Sequence, residues 1–166
     1  MKKIIVTDNL YSLEKILDNY KIKYSDCSNY KEIKKYELLV IKIDEIDDLN
    51  KLDIEPSIVF ISKIEKRYEY KKLIKYLKTL KNKTLIINDT NKYLKKIFLK
   101  NLDIYRYGNN IYDDIEYIKK DDKIIIKYFD RYTLNTTNEN IIGYIIIGLL
   151  FGIEIVDIIK NIEKTS

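Results

Sequence analysis

Four segments that read as β-strands end in residues able to handle a phosphate or a divalent cation: Thr7-Asp8-Asn9, Asp44-Glu45, Ser62-Lys63 and Asn88-Asp89. Carboxylates hold magnesium, and hydroxyls and lysines hold phosphate oxygens. Open α/β sheets bind their ligands beyond the carboxyl ends of the strands. Residues 4–12, IIVTDNLYS, have the outline of a phosphate-binding unit: a β-branched strand, a turn, then a helical pattern. A working phosphate loop needs glycines, so that backbone N–H groups reach the phosphates without Cβ clashes. It also needs a lysine for the terminal phosphates and a Ser or Thr for magnesium. No glycine precedes Gly108, the turn continues as Asn9-Leu10-Tyr11, only Ser12 offers the hydroxyl, and Asp8 would repel a polyphosphate. The expectation is a nucleotide cleft in outline, without the groups that bind a nucleotide.

Other chemistries are limited by residue type. The chain has no histidine, which removes Ser-His and Cys-His pairs, imidazole acid–base catalysis and histidine metal sites. Its single cysteine, Cys27, rules out an intramolecular disulfide and reads as a small buried hydrophobe. No catalytic residue, metal ligand or cofactor is assigned. Alanine, glutamine and tryptophan are absent while Ile, Lys, Asn and Tyr abound, as in proteins from AT-rich genomes, so 16 tyrosines carry less meaning than usual. The 31 basic residues are interspersed with 26 acidic ones. The most basic stretch, Lys63 to Lys81 with Lys92, Lys95, Lys96 and Lys100, reads as a solvated helix face, and nucleic acid is not the expected partner.

These residues must be positioned by alternating strands and helices. Strands are expected at Lys3 to Thr7, Glu37 to Ile43, Ile58 to Ser62, Leu85 to Ile87 and Ile104 to Tyr107. Helices are expected at Leu10 to Tyr20, 66–81 and Asn91 to Leu99. A hairpin follows, Asp114 to Lys119 and Lys123 to Phe129, turning at Asp121-Asp122. Two helices, Asn138 to Phe151 and Glu154 to Glu163, are separated by Gly152 as a C-terminal stop. The pattern predicts one α/β domain over residues 1–166: a mostly parallel sheet flanked by helices, with a small antiparallel hairpin. The apolar run of 13 residues, 141–153, is shorter than the roughly 17–25 a membrane span requires. The start MKKIIVTDN turns polar too soon for a signal peptide, and a cytoplasmic protein is expected.

The order of these motifs resembles the central, ATP-binding domain of the Mur ligase family, the ATP-dependent amide ligases of peptidoglycan precursor synthesis. IIVTDN with LYSLEKIL is similar to the strand and loop that open that domain, and LVIKIDEID to its acidic strand end. PSIVFISKI is similar to its Pro-led strand ending in Thr-Asn-Ile, LIINDT to its Asn-x-Asp-Asp strand end, and YRYG to its Tyr-Gly step. NENIIGYIIIGLLFGI is similar to the His-Asn motif and the apolar helix after it.

The resemblance implies the central-domain fold and also where this chain departs from it. The family's magnesium-binding glutamate corresponds to Lys42, its metal-binding histidine falls near Lys66 or Arg67, and the asparagine of Thr-Asn-Ile is Lys63. The histidine of the His-Asn motif is Glu139, followed by a retained Asn140. The vestigial cleft is therefore Thr7, Asp8, Asn9, Ser12, Lys42, Asp44, Glu45, Lys63, Asn88, Asp89 and Asn140. Within it, Lys42, Lys63 and Lys66 are expected to neutralise Asp8, Asp44, Glu45 and Asp89. The function implied is a pseudoenzyme, a scaffold or protein-binding module in cell-wall or spore-envelope synthesis. The alternatives are a reduced amide ligase or nucleotide-binding protein with an unusual site, and a basic nucleic-acid-binding module.

Overall fold

The computed structural model describes residues 2–164. Nine strands form one sheet in the order β2-β3-β1-β4-β5-β6-β7-β8-β9. They are β1 (Lys3–Thr7), β2 (Ile22–Asp26), β3 (Leu38–Lys42), β4 (Ile58–Ile61), β5 (Lys83–Asn88), β6 (Leu102–Gly108), β7 (Ile115–Lys120), β8 (Lys123–Tyr128) and β9 (Asp130–Leu134). All pairs from β2 through β7 are parallel, and β8 and β9 extend the sheet antiparallel. The continuous apolar runs at β3, β4 and β5 are buried on both faces, as interior parallel strands require.

The two faces have separate cores. Helix α1 (Arg67–Leu77) covers one face, with Leu73 and Leu77 fully buried among Val6, Val59, Ile61 and Leu85. Helices α2 (Ile141–Leu150) and α3 (Ile155–Glu163) cover the other, over Ile5, Ile58, Phe60 and Ile86. Every residue of α2 from Ile141 to Gly148 is buried, so its apolar run is core, and no helix of the described residues is long and apolar enough to cross a membrane. The helix ends as expected at Gly152, whose φ of +85° suits glycine. Gly152 N–H donates to Leu149 C=O and Ile153 N–H to Gly148 C=O.

Four expectations are corrected. No helix spans Leu10 to Tyr20: only the 3-10 turn Leu13–Lys15 forms, leaving Leu10 and Tyr20 partly exposed. Side-chain hydroxyls take the N–H groups of Tyr11 and Leu13, while Leu13, Ile16 and Leu17 still reach the core. Strand β2 was not anticipated, because Ile22, Tyr24 and Ser25 are only half-buried at the sheet edge and their pattern is weak. The segment Asn91 to Leu99 holds only the 3-10 turn Leu94–Lys96. The hairpin is a three-stranded meander, because β9 turns back directly after Phe129.

Gly143 sets how closely α2 approaches the sheet. A Cβ there would lie 2.2 Å from Phe60 Cζ, and Phe60 is itself fully buried edge-on against Tyr107 and Tyr144. Gly143→Ala should therefore destabilise the fold by about 3 kcal/mol, as overpacking does. Urea unfolding should show a lowered midpoint with an unchanged slope.

Candidate functional site

The polar residues at the carboxyl ends of the strands form one rim across the sheet. The register aligns Asp26 with Lys42 and Lys42 with Thr7, while Asn88 lies level with Tyr107. The connection from β1 leaves toward β2 and that from β4 toward β5, so the β1–β4 crevice is the switch point where such sheets hold ligands.

Asp8 fills that crevice. Its carboxylate accepts hydrogen bonds from Ser62 N–H at 2.9 Å, Ser62 Oγ at 3.0 Å and Lys63 N–H at 3.2 Å. A carboxylate thus occupies the donors at the end of β4. Burial pushes the Asp8 carboxyl above its ordinary value, against the lowering effect of these hydrogen bonds.

The turn after β1 is closed in the same way. Asn9 N–H donates to Thr7 Oγ1 at 3.1 Å, Tyr11 N–H to Tyr144 Oη at 3.1 Å, and Leu13 N–H to Tyr24 Oη at 2.9 Å. Tyr144 Oη in turn donates to Asn9 C=O, and Tyr24 Oη donates to Glu14 at 2.7 Å. Ser12 Oγ also donates to Glu14, at 2.7 Å. Hydroxyl oxygens of the chain therefore stand against three N–H groups of a turn that has a phosphate loop's outline. Burial raises both the Tyr144 and Tyr24 hydroxyls, which stay protonated and able to donate.

The other rim residues separate into local clusters. Asn140, at the start of α2, accepts from Tyr107 Oη at 2.8 Å, while Glu139 pairs with Lys119. Asp44 N–H and Glu45 N–H both donate to the buried Asp48, and Asp44, Glu45 and Asp47 line a separate cleft of about 180 Å³ with Tyr68, Glu69 and Lys72. Asn88 accepts from Thr90 N–H and Oγ1. Among the described residues, no three His, Cys, Asp or Glu come together as a metal-holding group. Cys27 is half-buried, and burial pushes its thiol up.

The expected neutralisation by three lysines is only partly met. Lys42 Nζ pairs with Asp44 at 3.1 Å, but Lys63 Nζ pairs with Glu65 at 2.6 Å and Lys66 Nζ lies over the Tyr68 ring. The cation on Asp89 is Arg106, at 3.0 Å, held against the Phe98 ring and donating to Ile97 C=O. Both side chains are mostly buried, Arg106 reaching from β6 to Asp89 just beyond the end of β5.

Sequence reasoning missed Tyr24, Tyr107, Tyr144, Arg106 and Asp113. The four other than Asp113 belong to abundant or dispersed residue types, and only YRYG pointed near Arg106. Asp113 lies against Gly108, where a Cβ would come 2.5 Å from Asp113 Oδ2 and 3.1 Å from Asp89 Cβ. The missing side chain at Gly108 leaves room for the two carboxyls to meet.

The fold on which this rim is built has a counterpart among solved structures. The MurF ligase of Thermotoga maritima, solved in complex with ADP, superposes with a TM-score of 0.67 over 96% of this chain, at 13% identity. The fold is Mur ligase-like. This chain spans about half the length of that ligase, matching 48% of it. No family model and no curated protein sequence matches the chain. The Mur ligase-like sheet thus carries a switch-point crevice occupied by its own Asp8.

Two outcomes follow from this geometry. Tyr144→Phe leaves Tyr11 N–H without its acceptor and should cost about 1–2 kcal/mol, with faster amide exchange at Tyr11. Asp113 is pushed up to about 7 by burial, by its hydrogen bond with Asp89 and by the Asp89 charge. Because its folded value lies above its unfolded one, its stabilising contribution is complete in acid and is lost as pH rises through about 7. The melting temperature of Asp113→Asn relative to the wild type should therefore climb between pH 4 and about 7 and level off above. A pH-independent difference would count against the carboxyl pair.

Proposed function

We propose that this chain is a non-catalytic, Mur ligase-like module that serves as a scaffold or protein-binding partner in cell-wall or spore-envelope synthesis. The observation that carries the reading is the self-occupied crevice. Asp8 caps Ser62 and Lys63, and hydroxyls of Thr7, Tyr24 and Tyr144 cap the turn after β1. An incoming phosphate would have to displace these oxygens and approach a buried carboxylate, which like-charge repulsion opposes. The structural counterpart was solved with ADP. On this reading Thr7, Asp8, Asn9 and Ser12 in the crevice, with Lys42, Asp44, Glu45, Lys63, Asn88, Asp89 and Asn140 in the local clusters along the rim, are the remnants of a nucleotide cleft that holds no cofactor.

A protein partner suits the exposed apolar side chains away from that crevice. Ile111 and Tyr112 on the β6–β7 connection are 74% and 87% exposed, and Phe129 at the β8–β9 turn is fully so. Phe129 also adopts a φ of +59°, a costly conformation for a bulky residue, at a position where its ring buries nothing against the core.

Isothermal titration with ATP and magnesium tests the proposal. Neither binding heat nor a shift in melting temperature is expected. Magnesium-dependent micromolar binding would instead favour the reduced-ligase alternative.

A further inference from the structure

The most basic stretch of the sequence folds into a groove of about 370 Å³ lined by Arg67, Tyr70, Lys92, Tyr93 and Lys96. Arg67 and Tyr70 come from the first turns of α1, and the others from the segment after β5, so the start of a helix and a loop at the carboxyl rim supply the walls. Asn91 fastens the two together. Its Nδ2 donates to Ile64 C=O at 3.0 Å, and its Oδ1 accepts from Tyr93 N–H and Leu94 N–H, both at 3.1 Å. The buried Leu94 and Ile97 anchor the same turn in the core.

The groove's charge is not neutralised. Lys42, Lys51, Lys63 and Lys72 each have a carboxylate within 3.1 Å. Arg67, Lys92 and Lys96 make no side-chain ion pair or hydrogen bond among the described residues, and no acid lines the groove. What the two lysines do contact is an aromatic ring. Lys92 Nζ and Lys96 Nζ lie 4.9 and 5.7 Å from the Tyr93 centroid. Tyr93 and Tyr70 sit 5.9 Å apart with planes tilted by only 30°, forming a shelf between the cations.

We propose that this groove binds single-stranded nucleic acid, with phosphates on Arg67, Lys92 and Lys96 and an unstacked base against Tyr93 and Tyr70. Three cations alone would suit any polyanion. The tyrosine shelf narrows the choice, because unpaired bases stack on aromatic rings, whereas an acidic peptide uses only the cations. A duplex keeps its bases stacked on one another and cannot offer them to the shelf. The inference does not rest on the non-catalytic reading, since the groove and the Asp8 crevice use different residues.

Fluorescence anisotropy with a fluorescein-labelled ten-residue oligo(dT) tests it on the full chain. Three phosphate contacts predict a log–log salt dependence with a slope of about −2. The triple variant Arg67→Glu, Lys92→Glu, Lys96→Glu should abolish binding while keeping the wild-type melting temperature, since all three side chains are exposed. Tyr93→Leu should weaken binding at least about fivefold and Tyr93→Phe should restore it. No binding at low salt, or binding that survives the triple reversal, overturns the proposal. Equal competition by polyglutamate together with an unaffected Tyr93→Leu variant also overturns it and assigns the groove to an acidic peptide. Any ATP binding that disappears in the triple variant belongs to this groove, and ATP binding that persists there bears on the Asp8 crevice instead.

Discussion

The close seating of α2 on the sheet governs both the core and the candidate site. Gly143 lets the helix backbone lie against the Phe60 ring, and that approach delivers Tyr144 to the turn after β1. The Tyr144 hydroxyl then bridges Asn9 C=O and Tyr11 N–H, so a packing contact becomes a polar clamp. Held this way, the chain leaves β1 without a helix and runs to β2 through a single 3-10 turn. Tyr24, on β2, completes the closure by accepting from Leu13 N–H.

Along the rim, three carboxylates find donors or a cation close at hand. Asp8 is answered by backbone N–H groups of Ser62 and Lys63, Asp48 by those of Asp44 and Glu45, and Asp89 by Arg106. Backbone donors hold a carboxylate without the conformational cost of ordering a long lysine side chain. The lysines near the rim pair with neighbours in sequence, Lys42 with Asp44 and Lys63 with Glu65. Positive charge without a carboxylate partner among the described residues collects where the start of α1 meets the segment after β5, at Arg67, Lys92 and Lys96.

Much of the architecture was legible before the fold was known. The runs LLVIK, IVFI and LIIN name interior strands because both of their faces are apolar, and the helix at α2 is apolar all round because it is buried all round. Edge elements were not legible: β2 and β9 are half exposed, so their alternation is indistinct. The pattern at Leu10 to Tyr20 misled for a different reason. Leu13, Ile16 and Leu17 are buried as a helix would bury them, yet hydroxyls from residues 11 and 133 positions away take the N–H groups.

By itself the sequence determined the interior strands, the apolar helix that fills the core after the meander and the absence of a glycine-built phosphate loop. Those properties are set by side-chain size and polarity read along the chain. Only the tertiary structure decided what occupies the loop's place, which cation meets Asp89, and that Asp113 sits beside it. Each of these depends on which side chains are brought within about 3 Å of one another. Hydrogen bonds and ion pairs act at that range, and residues far apart in sequence reach it only once the sheet has assembled.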